Sequence, residues 1–152
     1  MYSRHQSSQL RQQFWTVLGQ YMNPIPSSEG ENINWINYKT GLKGVYFRME
    51  ADAIKAAIRI ELSLENSTKQ QTYFSRLKNF NGASEVINKE WTWEPATFDG
   101  TGRLKSKIET TLAGVNLLNK EDWPLLISFF KQHLITLDKF WNCVKYSFEE
   151  YR

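Results

Sequence analysis

Hydrophobic residues recur with a helical period near both ends of the chain and with a period of two in its middle. Their positions in the first segment are Leu10, Phe14, Val17, Leu18 and Tyr21. This spacing predicts a helix over Gln9 to Met22, capped by Ser7 or Ser8, with residues 1–8 as a loose arm. Asn23 to Gly30 contains two prolines and a glycine, so an exposed connection is expected there.

The middle of the chain alternates apolar and polar residues, as half-buried strands do. Val45 to Glu50 and Ile58 to Leu64 alternate in this way and predict the two strands of a hairpin. A short strand is expected at Ile33 to Lys39, followed by a glycine-containing turn at Thr40 to Gly44. The alanines in Ala53 to Ile58 also suit a helix, but the alternation of β-branched residues favours the strand.

A second helix is predicted after the hairpin. Ser67 is followed three residues later by Gln70, and this capping-box pattern predicts that the helix begins at Ser67. Its core-facing residues would be Tyr73 or Phe74, Leu77 and Phe80. We expect Asn81-Gly82 to end or interrupt it.

Two more strands are predicted beyond that helix. Trp91 to Glu94 alternates and stops at Pro95, and Arg103 to Leu112 alternates as the last strand. The segment Asp99 to Gly102 between them predicts a hairpin turn. Its Gly-x-Gly lacks the following helix and further glycine of a phosphate-binding loop.

The last third of the chain carries the most regular pattern. Its apolar positions follow steps of four and three: Trp123, Ile127, Phe130, Leu134, Leu137, Trp141, Val144 and Phe148. One long helix is therefore predicted, with Asn119 as its N-cap and Asp122 near the positive end of its dipole. The stripe either packs across the sheet or forms a two-helix seam with a second copy. The predicted fold class is α+β: an antiparallel or mixed sheet packed against an N-terminal, a middle and a long C-terminal helix.

Composition narrows the class of protein. The 152 residues suit one globular domain over 1–152, and 41% hydrophobic with 14% aromatic residues excludes a disordered chain. A net charge of +3 permits nucleic acid as a partner without requiring it. The single Cys143 excludes an internal disulfide and a multi-cysteine metal site. With no secretory signal and no apolar run long enough to span a bilayer, a soluble cytoplasmic protein without membrane contact is expected.

Four charges in the predicted hairpin raise the main functional question. Arg48, Glu50, Arg59 and Glu61 either form a reactive site or belong to the solvated face of the sheet. If the hairpin closes around Ile54-Lys55, Arg48 faces Glu61 and Glu50 faces Arg59. A shift by two residues would set Arg48 against Arg59, which is unfavourable. The first register is predicted, and in it the four residues are surface ion pairs rather than catalytic groups.

The order of predicted elements resembles the core of the restriction-endonuclease-like (PD-(D/E)XK) fold. That resemblance implies a Mg²⁺ site with Glu50 and Glu61 as the acids. The triplet Glu61-Leu62-Ser63, however, has serine where the family has lysine, and Lys55 or Arg59 would have to substitute. Catalysis is not expected, and magnesium would be a cofactor only under this alternative.

Nucleic-acid binding is a further alternative. The candidate cations are Lys39, Lys43, Arg48, Arg103, Lys105 and Lys107, and the candidate stacking residues are Tyr38, Tyr46, Trp91 and Trp93. His5 and His133 form no metal-spaced pair, so no metal site is predicted. Cys143 is expected to be a small, partly buried helix residue rather than a nucleophile.

Several phrases resemble a bacterial family of domains of unknown function, number 4268. They are RQQFWTVLGQYM, NYKTGLKGVYFRMEAD, EWTWE and NKEDWPLLISFFKQHLITLDKFWNCVKYSF, and they extend from Arg11 to Phe148. The resemblance implies a free-standing copy of a domain that can also follow nuclease-like domains, and it transfers no activity to named residues. We therefore expect a non-enzymatic interaction or accessory domain that contacts a protein partner or itself, with nucleic-acid binding as the alternative.

Overall fold

A computed structural model describes residues 2–80, 87, 90–98, 100 and 102–149. The described residues form three α-helices and four β-strands: α1 (Arg4–Met22), β1 (Val45–Ala51), β2 (Lys55–Leu62), α2 (Ser67–Asn79), β3 (Thr92–Phe98), β4 (Leu104–Ala113) and α3 (Trp123–Val144). Short 3₁₀ turns at Lys120–Asp122 and Lys145–Ser147 flank α3. The predicted α+β class is confirmed.

The four strands form one antiparallel sheet in the order β1-β2-β4-β3. Its helix-side face carries Ile58, Ile60 and Ile108, which are fully buried in the main core. The hydrogen bond from Gln70 Nε2 to Ser106 Oγ (3.1 Å) places α2 on the same face. The helices therefore cover one face of the sheet.

The first helix starts earlier than predicted. Ser3, rather than Ser7 or Ser8, is its N-cap, and Ser3 and Gln6 form a reciprocal capping box. Residues 4–8, expected as part of an arm, are thus the first turns of α1. Residues 4–8 are polar because the first turns of the helix face solvent. Apolar spacing therefore could not show that the helix begins at this capping box.

Ile33 to Lys39 is not a strand, contrary to the prediction. This segment belongs to the connection between α1 and β1, and side chains hold it in place. Trp35 Nε1 donates to the carbonyl of Ile25 (2.8 Å), and the Tyr38 hydroxyl donates to Asp138 Oδ1 (2.5 Å). The expected turn at Thr40 to Gly44 is present before β1.

The β1–β2 hairpin has the register that the charges were expected to exclude. Arg48 faces Arg59, and Tyr46 faces Glu61. Asp52 accounts for this, because its Oδ1 accepts hydrogen bonds from the backbone N–H groups of Ile54 and Lys55, both at 2.9 Å. The turn therefore closes one residue earlier than predicted, and local turn chemistry outweighs the like-charge pair.

The second helix is confirmed, but its cap differs. Asn66 is the N-cap, and its side chain accepts from the Lys69 N–H. Gln70 does not complete a capping box; it is buried and accepts from the Leu64 N–H (2.8 Å). The helix ends at Asn79, and the predicted stop at Asn81-Gly82 lies outside the described residues.

The third strand continues through Pro95 to Phe98, whereas the sequence predicted a stop at the proline. An edge strand tolerates proline because its outward N–H has no ladder partner. The register shifts between Glu94 and Thr97, which is the irregularity expected at such a site. Of the predicted Asp99 to Gly102 turn, residues 99 and 101 lie outside the described residues.

The last helix is confirmed, with a two-step start. Asn119 caps the 3₁₀ turn rather than α3, and Asp122 precedes α3 without a side-chain cap bond. Six of the eight predicted stripe positions are buried in α3: Trp123, Phe130, Leu134, Leu137, Trp141 and Val144. Phe148 is also buried but lies beyond the helix. The stripe is covered within the chain by the core, so it is not a seam for a second copy.

Candidate functional site: the outer face of the sheet

The face of the sheet opposite the helices carries a continuous set of polar side chains. We call it the outer face; its residues are Tyr46, Arg48, Glu50, Arg59, Glu61, Thr92, Glu94, Lys105, Lys107 and Glu109. They share this face because alternate residues of a strand point the same way and paired residues point together. The strands that sequence alternation predicted thus meet side by side and join their charges.

Glu61 lies at the centre of the outer face. Its side chain is only 4% exposed, and three cations surround its carboxylate. Arg59 Nε is 3.2 Å away, Lys105 Nζ 3.4 Å and Arg48 Nε 3.6 Å. The long basic side chains lie over the carboxylate and shield it from solvent.

Arg59 extends the ion pairs across three strands. Its Nη1 contacts Glu50 Oε1 on β1 (2.8 Å) and Glu109 Oε2 on β4 (3.2 Å). These carboxylates, together with Glu61, offset the repulsion between Arg59 and the facing Arg48. The register that looks unfavourable in an isolated hairpin is compensated once β4 lies beside β2.

The network of ion pairs shifts the pKa values of its two central groups, Glu61 and Arg59. Burial by itself raises the pKa of Glu61, but the hydrogen bond and charge of Arg59, with Lys105, outweigh it and hold that pKa below its ordinary value. Burial likewise opposes the charge of Arg59, but Glu50 and Glu61 outweigh it and raise its pKa above the ordinary value. Both groups are held in their charged forms at neutral pH.

The acids that the nuclease-like resemblance implies, Glu50 and Glu61, both lie on the outer face. The described residues contain no group of three or more His, Cys, Asp or Glu side chains that could hold a metal ion. The oxygens of Glu61 and Glu50 contact cations of the protein itself. The resemblance to restriction-endonuclease-like folds is not confirmed, and the sheet is antiparallel throughout.

The structure brings together only part of the candidate nucleic-acid site. Arg48, Lys105 and Lys107 share the outer face, where carboxylates alternate with them. Arg103 lies at the end of the sheet, and its Nη2 donates to the Ser63 carbonyl (3.3 Å). Lys39 and Lys43 lie in the connection before β1 rather than on the outer face.

The four candidate stacking residues do not form one platform. Tyr46 is on the outer face, with the Arg48 guanidinium 4.3 Å above its ring. Tyr38 stacks on Phe47 with ring centroids 4.2 Å apart. The two tryptophans pack on the helix side: Trp91 is buried beside His133, and Trp93 contacts Phe74 edge-on.

A second polar cluster, absent from the sequence predictions, surrounds Asp138. This aspartate on α3 is 1% exposed and accepts hydrogen bonds from the Tyr38 hydroxyl, the Ser28 N–H (2.7 Å) and Asn142 Nδ2 (2.9 Å). It attaches the connection between α1 and β1 to the last helix. The sequence contained one signal for this cluster. Asp138 directly follows Leu137 of the apolar stripe, and an acidic residue buried at such a position requires a partner.

A polar cleft of about 520 Å³ lies next to this cluster, between the connection and the end of α3. Lys145 Nζ contacts Glu29 Oε1 at 2.8 Å, and the Tyr146 hydroxyl also bonds Glu29. The hydrogen bonds from Lys145 and Tyr146 lower the pKa of Glu29. Two of the charged groups that line the cleft, Glu29 and Lys145, therefore neutralise each other.

Two further residues differ from expectation or were missed. Cys143 is exposed, not partly buried, because it lies on the solvent side of α3 next to the buried Val144. Glu109 was not recognised as a site residue. Only the pairing of β4 with β2, which places Glu109 opposite Arg59, reveals its role.

Fold and outer face together define an α+β domain that presents a sheet surface covered with ion pairs. The chain belongs to the family described as Domain of unknown function (DUF4268), whose model matches residues 10–145. The family resemblance of the aromatic-rich phrases is thereby confirmed. No match was found among curated proteins or among solved structures. In the described part of the chain, no helix is long and apolar enough to cross a membrane.

Proposed function

We propose that the domain is a non-enzymatic interaction module that contacts a protein partner through the outer face. The observation that carries this proposal is the exposed four-stranded surface itself, which the described helices leave uncovered. On this face Tyr46, Arg48 and Glu50 are exposed and available for contact.

The electrostatics of the outer face favour protein recognition over catalysis or nucleic-acid binding. Cations and carboxylates alternate, so a partner with the complementary alternation would be selected by register and charge. A nucleic-acid binder concentrates positive charge along a stripe, whereas here Glu61 contacts Arg48, Arg59 and Lys105.

The first experiment compares the wild type with a charge-altered outer face. The variant Thr92→Arg/Lys107→Glu changes two residues of the outer face outside the central ion pairs. A matched control, Gln132→Arg/Lys131→Glu, makes the same changes on the exposed side of α3. Each immobilised protein is exposed to lysate of the source organism, and a captured protein is then purified and titrated.

The proposal predicts a partner that binds the wild type and the α3 control and loses at least about tenfold in affinity for the outer-face variant. Equal binding by all three proteins would overturn the role of the outer face. Two further measurements use Mn²⁺ and a labelled DNA duplex at two salt concentrations. Tight, steeply salt-dependent DNA binding would favour the nucleic-acid alternative instead.

A further inference from the structure

The strand β1 forms one edge of the sheet, and its backbone groups can be assigned to two sides. The Ser63 N–H donates to the Gly44 carbonyl (2.8 Å), and the Asp52 N–H donates to the Lys55 carbonyl (2.9 Å). Hydrogen-bonded and non-bonded pairs alternate along an antiparallel ladder. Tyr46, Arg48 and Glu50 therefore direct their backbone groups toward β2.

It follows that Phe47, Met49 and Ala51 direct their N–H and C=O groups away from the sheet. Val45 also points outward, but its N–H donates to the Leu42 carbonyl (3.3 Å) and its carbonyl accepts from Thr40 Oγ1 (2.7 Å). Among the described residues, no such bond reaches the outward backbone groups of Phe47, Met49 or Ala51. In this part of the edge, the outward backbone groups are therefore available to pair with another strand.

The other edge of the sheet carries protection that β1 lacks. In β3, Pro95 has no N–H to donate, and the register shift between Glu94 and Thr97 disturbs the edge. Proline and bulges are the devices by which edge strands avoid pairing with another chain. Residues 47–51 of β1 contain no proline and pair regularly with β2.

We propose that β1 pairs antiparallel with β1 of a second copy, with the twofold axis at Met49. This arrangement sets Arg48 opposite Glu50 of the partner subunit, and the reciprocal pair forms across the axis. Residues 47–51 could then exchange about six backbone hydrogen bonds. Both copies would keep their helices on the same side, so that two sheets join into one.

Charge selects this register among the neighbouring ones. An axis at Arg48 would set two arginines directly opposite, and an axis at Glu50 would set two glutamates opposite, both of which are destabilising. The side chains of Arg48 and Glu50 are 49% and 64% exposed, so both can reach a partner. The strand is thus complementary to itself in one register.

The test uses a pair of charge-reversed variants. In Arg48→Glu every partner-facing charge is negative, and in Glu50→Arg every one is positive, so each variant alone should lose self-association. A mixture of the two should restore a 1:1 heterodimer, because opposite charges then meet across the axis. Analytical ultracentrifugation measures the dissociation constant of wild type, each variant and the mixture.

We expect wild-type dimers, a dissociation constant raised at least about tenfold in each variant, and recovery on mixing. Effects of the substitutions on the fold of one chain cannot produce recovery on mixing. A wild type that is monomeric at all concentrations would overturn the proposal, and so would variants that associate as the wild type does. A mixture that stays monomeric would overturn the Met49 register.

The variant Met49→Pro gives an independent readout. It removes an outward N–H while leaving the bonds from Arg48 and Glu50 to β2, so the folded chain should become monomeric. The Thr92→Arg/Lys107→Glu variant is the control and should remain dimeric. The inference goes beyond the proposed function, because the second copy binds at the β1 edge and not on the outer face. It fails separately: a monomer that still captures a partner through the outer face would refute only the dimer.

Discussion

Glu61 and Asp138 are both buried carboxyl groups, yet they are stabilised in different ways. Glu61 lies among three cations on the outer face, where several other carboxylates share the same cations. Asp138 accepts bonds from a hydroxyl, an amide and a backbone N–H, each supplied by a different residue. The first group belongs to a redundant network, and the second is the common acceptor of three donors.

This difference indicates which cluster holds the fold and which is open to functional change. Loss of Asp138 would remove the acceptor that the Tyr38 hydroxyl and the Ser28 N–H share. Loss of Glu61 would leave Arg59 with Glu50 and Glu109. A surface that tolerates changes in its charges can evolve toward a partner, which agrees with an interaction role for the outer face.

The largest effect is expected for Asp138→Ala. Hydrogen bonds to a charged group contribute about 1.5–3 kcal/mol each, and Asp138 accepts three of them, so a loss of about 3 kcal/mol is expected. Urea denaturation measures it, and hydrogen exchange should show faster exchange of the Ser28 amide. Asp138→Asn, which retains one acceptor oxygen, is the matched control and should lose less. Equal stability of Asp138→Ala and wild type would refute the anchoring role.

A smaller loss, about 1.5 kcal/mol, is expected for Glu61→Gln. The amide keeps the shape of the side chain, but it no longer compensates Arg48, Arg59 and Lys105. The free energy of unfolding in urea at pH 7 gives the value. An effect as large as that of Asp138→Ala would contradict the redundancy of the outer-face network.

The same carboxylate should make stability depend on pH. Because the folded-state pKa of Glu61 lies below its ordinary value, its contribution to stability is complete above the unfolded-state pKa and is lost as the pH falls through the folded pKa. Thermal melts between pH 7 and pH 2 should show a steeper acid decline for wild type than for Glu61→Gln. Parallel curves for the two proteins would show that Glu61 contributes nothing to the decline.

The smallest effect is expected for Glu50→Gln. The Glu50 side chain is 64% exposed, and exposed ion pairs contribute about 0.5 kcal/mol or less. Its unfolding curve at pH 7 should nearly superimpose on that of the wild type. A loss above about 1 kcal/mol would mean that the edge pair with Arg59 is structural.

The sequence predicted the elements with strong periodicity and missed local features that depend on single side chains. The stripe of α3 and the alternation of β1, β2 and β4 led to correct elements. The N-caps of α1 and α2 were assigned to the wrong residues, because several Ser and Asn residues near each start satisfy the same pattern. The passage of β3 through Pro95 depends on its position at an edge, which no local pattern reports.

The candidate site was predicted only in part for the same reason. Arg48, Glu50, Arg59 and Glu61 were recognised as one polar face, and the structure places them together. The predicted register was wrong, since the Asp52 turn selects another. The predicted ion pairs of Arg48 with Glu61 and of Glu50 with Arg59 nevertheless form, between residues that are not directly opposite. Lys105 and Glu109 joined them only through pairing of strands distant in sequence.

The amino-acid order by itself determined the α+β class, the family and the face of each strong helix and strand, because these follow from periodicity within short windows. Tertiary structure alone decided the strand order, the pairing of Arg48 with Arg59 and the burial of Glu61 and Asp138. These depend on which segments become neighbours, and a charge is favourable or costly only in relation to the groups beside it.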